Sequence, residues 1–267
     1  MIHSIAHPTD LSPEGAPAFE HALRLALVNS CELALLHVAR SGATSDWDSF
    51  PRVRRLLERW GYLRPGAPME DVLPRTGVAV TKVSIASDDV VDGLARYLGE
   101  HRPDLIVAAS HGGAGLGRLL NGSVSARIAG TSLIPTMIFG PAARPFVDSK
   151  TGSLDSIETV LVAVDHDPPP GRAVRRLVAL ASGLDVRLDF IHVGTKVPVL
   201  RDAEGVQRPI RLLSGPVIET LLEEARRVSL LAMPMAGRDG LIDALRGSTS
   251  ERVLSEATCP VLALPVG

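Results

Sequence analysis

Short apolar runs alternate with stretches of helical periodicity along the whole chain, in two successive rounds. This alternation is typical of βα units, which build a parallel sheet because a crossover helix follows each strand. Right-handed crossovers then predict a doubly wound α/β fold with a five-stranded parallel sheet in each round. The first round predicts strands near 2–8, 33–39, 78–84, 104–109 and 134–139 and helices near 13–29, 50–60, 88–101 and 123–131. The second predicts strands near 159–164, 186–193, 207–212, 229–233 and 260–264 and helices near 170–182, 215–226 and 248–257.

The two rounds are diverged copies of one sequence unit. Asp10 stands 27 residues before His37, and Asp165 stands 27 residues before His192. Later, two Gly-to-Pro spacings of 13 residues also agree. Two independent spacings are hard to explain by chance, so internal repetition organises the chain. The aligned segments are 4–38 with 159–193 and 121–139 with 246–264.

The copies differ in length between these anchors. Copy one is 30 residues longer, and the extra residues follow its His-Val pair. A segment near 141–157 is rich in Pro, Ser and Gly, and this composition predicts a linker. We therefore expect one domain over 1–143 and a second over 157–267.

Charge and composition exclude several classes of protein. With 28 basic and 30 acidic residues the net charge is −2, so no global attraction to nucleic acid or an anionic membrane is expected. The N-terminal residues lack the pattern of a signal peptide, and no apolar stretch reaches 18 residues. Cys31 and Cys259 are far apart in sequence, which favours a reducing compartment and small buried thiols. We expect a cytoplasmic protein without a membrane span.

The segment after the fourth strand of copy one is suited to an anion. Gly122 allows close backbone approach, Ser123 can cap a helix, and the N–H groups of Val124 and Ser125 then point outward with the helix dipole behind them. A phosphate is the ligand that this arrangement favours, although a glycine loop with an ordinary N-cap explains the same residues. Residues 112–119 have P-loop glycine spacing but lack its Lys and Ser or Thr. No nucleophile elbow or metal motif occurs, so we expect no catalytic residues and no protein-bound metal.

An aspartate follows the first strand of each copy. Asp10 and Asp165 could accept hydrogen bonds from an adenine or a ribose, although such a residue is more often a turn or cap residue. Val38 and Val193, at the ends of the second strands, offer backbone groups to an adenine edge. The preceding histidines fit a structural role better than a functional one.

These residues together resemble the universal stress protein family, in which ATP-binding members show an Asp after the first strand, a His-Val at the end of the second, and Gly-x2-Gly-x9-Gly-(Ser/Thr) late in the domain. The resemblance spans nearly the whole chain, twice. It implies an adenine nucleotide alpha hydrolase-like fold and ATP as ligand, with or without Mg²⁺. The implied nucleotide-binding positions are Asp10, Val38, Ala109, Gly112, Gly122, Ser123, Val124 and Ser125, with a weaker second site at Asp165, Val193, Gly237, Gly247, Ser248, Thr249 and Ser250.

The departures from the family pattern favour the N-terminal site. Where the family has its first motif glycine, copy one has Ala109, one methyl larger, and copy two has Pro234, which lacks a donor and fixes φ. Ser248 and Glu251 read as a capping box that satisfies the helix start internally. Copy two is therefore expected to be largely structural.

We expect a stress-response or regulatory module that binds ATP or a related adenine nucleotide. The alternatives are a stress scaffold that binds no nucleotide and a slow nucleotide hydrolase. The resemblance also implies intramolecular pairing of the two domains through their last strands, 134–139 against 261–264, and allows a further homodimer.

Overall fold

The computed structural model describes residues 2–44, 46–110, 124–154, 157–167, 169–181, 184–201, 205, 207–235 and 248–266, with the backbone alone for 248–251. Its contacts divide the chain into two compact units. The first comprises Met1–Ala109 with Pro145–Ser156, and the second comprises Ser110–Arg144 with Ile157–Gly267. The units are bounded differently from the two sequence copies, because the last helix and strand of copy one belong to the second unit.

The first unit is built on four parallel strands in the order β3-β2-β1-β4. Apolar runs form the neighbouring strands β1 and β4, where Ile5 faces Leu105 and Ala6 faces Ile106 across the ladder. The strands are β1 (Ser4–Pro8), β2 (Glu32–Ala39), β3 (Ala79–Ala86) and β4 (Leu105–Ala109). The helices are α1 (Ala16–Asn29), α2 (Val53–Arg59), α3 (Val72–Thr76) and α4 (Val90–His101), with 3-10 turns at Pro13–Gly15 and Met69–Asp71.

Local chemistry sets the ends of the two long helices of this unit. Helix α1 buries an apolar face at helical spacing, including Phe19, Leu23 and Ala26, and ends where Ser30 adopts a left-handed φ of 48°. Helix α4 begins at the N-cap Asp89, whose side chain accepts the Asp92 N–H at 2.9 Å.

The described part of the second unit contains six strands in the order β5-β10-β9-β6-β7-β8. All neighbouring pairs are parallel except β5 and β10, which run antiparallel with Ile138 opposite Val261 and Met137 opposite Leu262. The strands are β5 (Thr136–Phe139), β6 (Thr159–Ala163), β7 (Arg187–Val193), β8 (Arg211–Leu213), β9 (Leu230–Met235) and β10 (Val261–Pro265). The helices are α5 (Val124–Thr131), α6 (Gly171–Ala181), α7 (Val217–Ala225) and α8 (Ser248–Glu256).

The predicted doubly wound α/β fold is confirmed, with local differences. The strand expected at 207–212 is only Arg211–Leu213, because Pro209 cannot donate to a ladder, and Gln207 instead bridges to Arg201. The helix expected near 50–60 is the shorter Val53–Arg59. Both cysteines are buried, as expected. Within the described residues, no helix is long and apolar enough to cross a membrane.

Pro145–Ser156, the greater part of the segment that is predicted to be a linker, belongs to the first unit. Phe146 and Val147 are buried, and both of their N–H groups donate to His21 Nε2, at 2.9 and 3.1 Å. Trp60 Nε1 donates to the Ser149 carbonyl at 3.1 Å. This part of the chain is therefore held by specific contacts rather than only joining two domains.

Candidate functional site

Three of the predicted site residues lie at one edge of the first unit. Asp10 follows β1, Val38 is the penultimate residue of β2, and Ala109 ends β4. Because β2, β1 and β4 are parallel neighbours, their carboxyl ends meet at this edge. Ligands of open α/β sheets bind outside the carboxyl ends of the strands. The structure thus brings together Asp10 and Val38, which are expected at the base and ribose end of the site, and Ala109, which stands at the position of the first motif glycine.

A tight turn holds Asp10 at that edge. The Thr9 N–H donates to the Leu36 carbonyl at 2.8 Å, and the Leu11 N–H donates to Thr9 Oγ1 at 3.0 Å. Leu11 has a φ of 66°, a left-handed conformation that is rare for a branched side chain. The Asp10 carboxylate accepts the Ser12 N–H at 3.0 Å and its side chain is exposed. The carboxylate is therefore fixed in direction and open to solvent.

The two copies share a structural histidine beneath the aspartate turn. His37 Nδ1 donates to the Thr9 carbonyl at 3.0 Å, and His192 Nδ1 donates to the equivalent Val164 carbonyl at 3.0 Å. In each copy this bond ties the end of the second strand to the residue just before the aspartate. Both imidazoles have the structural role that the sequence favours.

His7 is a buried polar group whose role the sequence pattern does not reveal. Its Nδ1 donates to the Val107 carbonyl at 2.8 Å, which ties β1 to β4, and burial lowers its pKa to about 4. Its Nε2 has no hydrogen-bond partner within the described part of the chain. A histidine inside an apolar strand was the only signal in the sequence, and it does not distinguish a core residue from a ligand.

The phosphate end of the predicted first site is described only in part. Gly112, Gly122 and Ser123 lie outside the described residues. Helix α5 begins at Val124, which is exposed, and Ser125 is buried in its first turn; both belong to the second unit.

The second predicted site has a different environment around its aspartate. Asp165 is exposed, accepts the His166 N–H at 2.7 Å and lies 3.8 Å from His192 Nδ1. His166 Nε2 donates to the Lys196 carbonyl at 2.9 Å. Val193 ends β7 opposite Leu213.

The remaining positions of that site are described only in part. The backbone of Ser248, Thr249 and Ser250 forms the first turn of α8. Gly237 and Gly247 lie outside the described residues, as do the side chains of Ser248, Thr249, Ser250 and Glu251.

Comparisons with known proteins agree on one family. The chain matches the universal stress protein family over residues 1–140 and 199–265. It is 26% identical to a universal stress protein of Mycolicibacterium smegmatis, with 96% of this chain and 94% of that protein covered. A universal stress protein structure from Archaeoglobus fulgidus aligns with a TM-score of 0.65, 22% identity and coverage of 99% of this chain and 98% of that one.

A second solved structure shows the same fold. A protein of unknown function from Pseudomonas aeruginosa aligns with a TM-score of 0.62 and 16% identity, covering 99% of this chain and 92% of that one. The fold is therefore the doubly wound, adenine nucleotide alpha hydrolase-like fold of that family. Because the family match covers most of the sequence, this chain belongs to the universal stress protein family.

Proposed function

We propose that this protein binds ATP or a related adenine nucleotide as a stress-response or regulatory module, with the N-terminal copy as the working site. The observation that carries the proposal is the meeting of Asp10, Val38 and Ala109 at the carboxyl edge of β1, β2 and β4. Membership of a family with an adenine nucleotide alpha hydrolase-like fold supports the same assignment.

Each residue then has a role that follows from its chemistry. The exposed Asp10 carboxylate accepts hydrogen bonds from the adenine amine or a ribose hydroxyl, and the backbone of Val38 faces the base edge. The phosphates bind at Gly112, Gly122, Ser123, Val124 and Ser125, where helix-terminal N–H groups and the helix dipole favour negative charge. Any Mg²⁺ would be held through the phosphates, since the described residues contain no group of three or more His, Cys, Asp or Glu that could hold a metal ion.

The C-terminal copy is the weaker site in this proposal. Asp165 accepts the His166 N–H as Asp10 accepts the Ser12 N–H, so the aspartates do not separate the two sites and the difference lies in the residues after the fourth strand of each copy. Pro234 stands in β9 opposite Leu264, and the next residue, Met235, is buried. These apolar residues stand where the family has a glycine-rich turn, so they disfavour a phosphate.

We also propose that the two copies pair within one chain through their last strands. The antiparallel ladder of β5 with β10 supports this, since β5 closes the sequence of copy one and β10 that of copy two. We further propose that this paired unit forms a homodimer and that the protein is located in the cytoplasm.

Two measurements test the nucleotide proposal. Mass spectrometry of small molecules released from freshly purified protein identifies any adenine nucleotide carried along. Calorimetric titration with ATP, ADP and AMP then gives affinity and stoichiometry, and we expect one strong site per chain. If no nucleotide co-purifies with the protein and the titrations give no binding heat, the scaffold alternative is favoured. Sustained release of phosphate from ATP would favour the slow hydrolase.

A further inference from the structure

The longer loop of copy one presents an aromatic side chain that copy two does not have. Within this loop, Asp46 accepts hydrogen bonds from the N–H and the hydroxyl of Ser49, which closes a turn over residues 46–49. Phe50 is buried, at 1% exposure, whereas Trp47 is 49% exposed. The two rings stack, with centroids 5.5 Å apart and planes 19° apart. Phe50 therefore supports the indole while about half of the Trp47 surface stays in solvent.

This aromatic pair is anchored next to the turn that carries Asp10. The Phe50 ring meets the His37 imidazole edge-on, with centroids 6.2 Å apart, and His37 in turn donates to the Thr9 carbonyl. Lys82 on β3 donates to the Trp47 carbonyl at 3.2 Å and lies 5.5 Å from the Phe50 ring centroid. Contacts from β2 and β3 thus hold Trp47 near the carboxyl edge of the sheet.

Copy two covers its equivalent histidine without a tryptophan. There His166 meets His192 edge-on, with centroids 5.2 Å apart and planes at 82°, close to the 81° between Phe50 and His37. His166 belongs to the aspartate turn itself, and copy two lacks the longer loop. The exposed indole is therefore an addition to copy one and is not required to cover the structural histidine.

We propose that Trp47 is a stacking platform for the purine base of a nucleotide bound at the N-terminal site. A planar base gains stacking energy on an indole regardless of its hydrogen-bonding edge, and a partly exposed, pre-supported ring costs little entropy to use. The Asp10 carboxylate supplies a hydrogen-bond acceptor for the uncharged, donor-bearing base and ribose. This inference rests on the proposed nucleotide function.

The test uses the full chain with a single tryptophan. The protein has two tryptophans, so Trp60→Phe leaves Trp47 as the only one. Titrating this variant with AMP should quench or shift its fluorescence with the same midpoint that calorimetry gives for binding, and bound AMP should reduce quenching by acrylamide. Ribose 5-phosphate, which lacks the base, should leave the Trp47 emission unchanged.

Affinity measurements provide the second readout. In the otherwise wild-type chain, Trp47→Ala should weaken AMP and ATP binding by about tenfold, whereas Trp47→Phe should retain most of the affinity. Tyr62→Ala is the matched control, because Tyr62 is a partly exposed aromatic residue of the same longer loop and contacts Arg24 rather than the Asp10 turn. It should leave affinity unchanged.

The two proposals fail in distinguishable ways. Wild-type binding with unchanged Trp47 emission and an unaltered Trp47→Ala affinity would overturn the stacking role and leave nucleotide binding in place. The absence of any binding heat in the wild-type chain would overturn both.

Discussion

At the scale of single residues, a buried imidazole holds the segment that follows β5. His21 lies on α1 with no exposed surface, and its Nδ1 donates to the Pro17 carbonyl at 2.6 Å. Its Nε2 accepts the N–H groups of Phe146 and Val147. Only the neutral ring can accept there, and burial lowers the pKa of His21 to about 4. Protonation would place an N–H at Nε2 of His21, facing the backbone N–H groups of Phe146 and Val147 with no acceptor between them.

The free energy of unfolding is expected to fall as the pH drops below about 6.5. Between the ordinary histidine pKa near 6.5 and the folded value of about 4, the unfolded chain binds protons that the native His21 does not, so acid favours unfolding. One such group contributes at most roughly 1.4 kcal/mol per pH unit in this window and nothing above it. Replacing His21 by Gln should flatten the pH dependence of urea unfolding by up to that amount, and replacing the exposed His3 should not. Parallel curves for His21→Gln and wild type would contradict this.

A residue's role can be predicted from the sequence when it depends on local pattern, and cannot when it depends on contacts between distant parts of the chain. Asp10 and Val38 were located because strand ends can be read from apolar runs. His7 and His21 could not be assigned, because their bonds to Val107 and Phe146 join residues 100 and 125 positions apart. Such pairings depend on the fold rather than on local pattern.

At the scale of elements, the segment 145–154 shows the limit of composition as evidence. Its Pro, Ser and Gly content predicts a linker, but the contacts of Trp60 make it part of the first unit. Gly152 lies under the indole with a φ of 70°, and a Cβ there would stand 2.5 Å from Trp60 Cδ2. The same composition would describe an unpacked linker, so the sequence alone could not distinguish the two.

Replacing Gly152 by Ala should destabilise the protein by more than the same change at Gly66. Both glycines have positive φ, which costs an alanine about 1–2 kcal/mol, but a Cβ at Gly66 meets nothing within 4 Å. The clash with Trp60 should add roughly 1–3 kcal/mol. Urea denaturation of both variants measures the difference, and adding Trp60→Ala should relieve the extra loss at Gly152. Equal losses at the two glycines would show that the Trp60 contact is unimportant.

At the scale of the whole molecule, the last strand of copy one is tied to copy two. All four residues of β5 are buried, and β5 pairs with β10 inside the second unit. The sequence pattern predicts both strands, and the family resemblance implies that they pair, but neither predicts the antiparallel direction or the assignment of residues 110–144 to the second unit.

Separating the copies should therefore expose a pairing edge. A fragment of residues 1–145 ends with β5 but lacks β10, and an unpaired apolar edge strand invites association. We expect this fragment to form a homodimer or to precipitate at concentrations where the full chain stays dispersed. Light scattering reports the mass, and a stable monomer would contradict intramolecular strand pairing.

We expect the N-terminal copy to hold the nucleotide through Asp10. Calorimetric titration of ATP into wild type, Asp10→Ala and Asp165→Ala tests it directly, since the two aspartates are equivalent in the repeat and both are exposed. A hydrogen bond to a charged acceptor is worth roughly 1.5–3 kcal/mol, so Asp10→Ala should weaken binding by about one to two orders of magnitude. Asp165→Ala should leave affinity nearly unchanged, and a larger loss from Asp165→Ala than from Asp10→Ala would contradict the account.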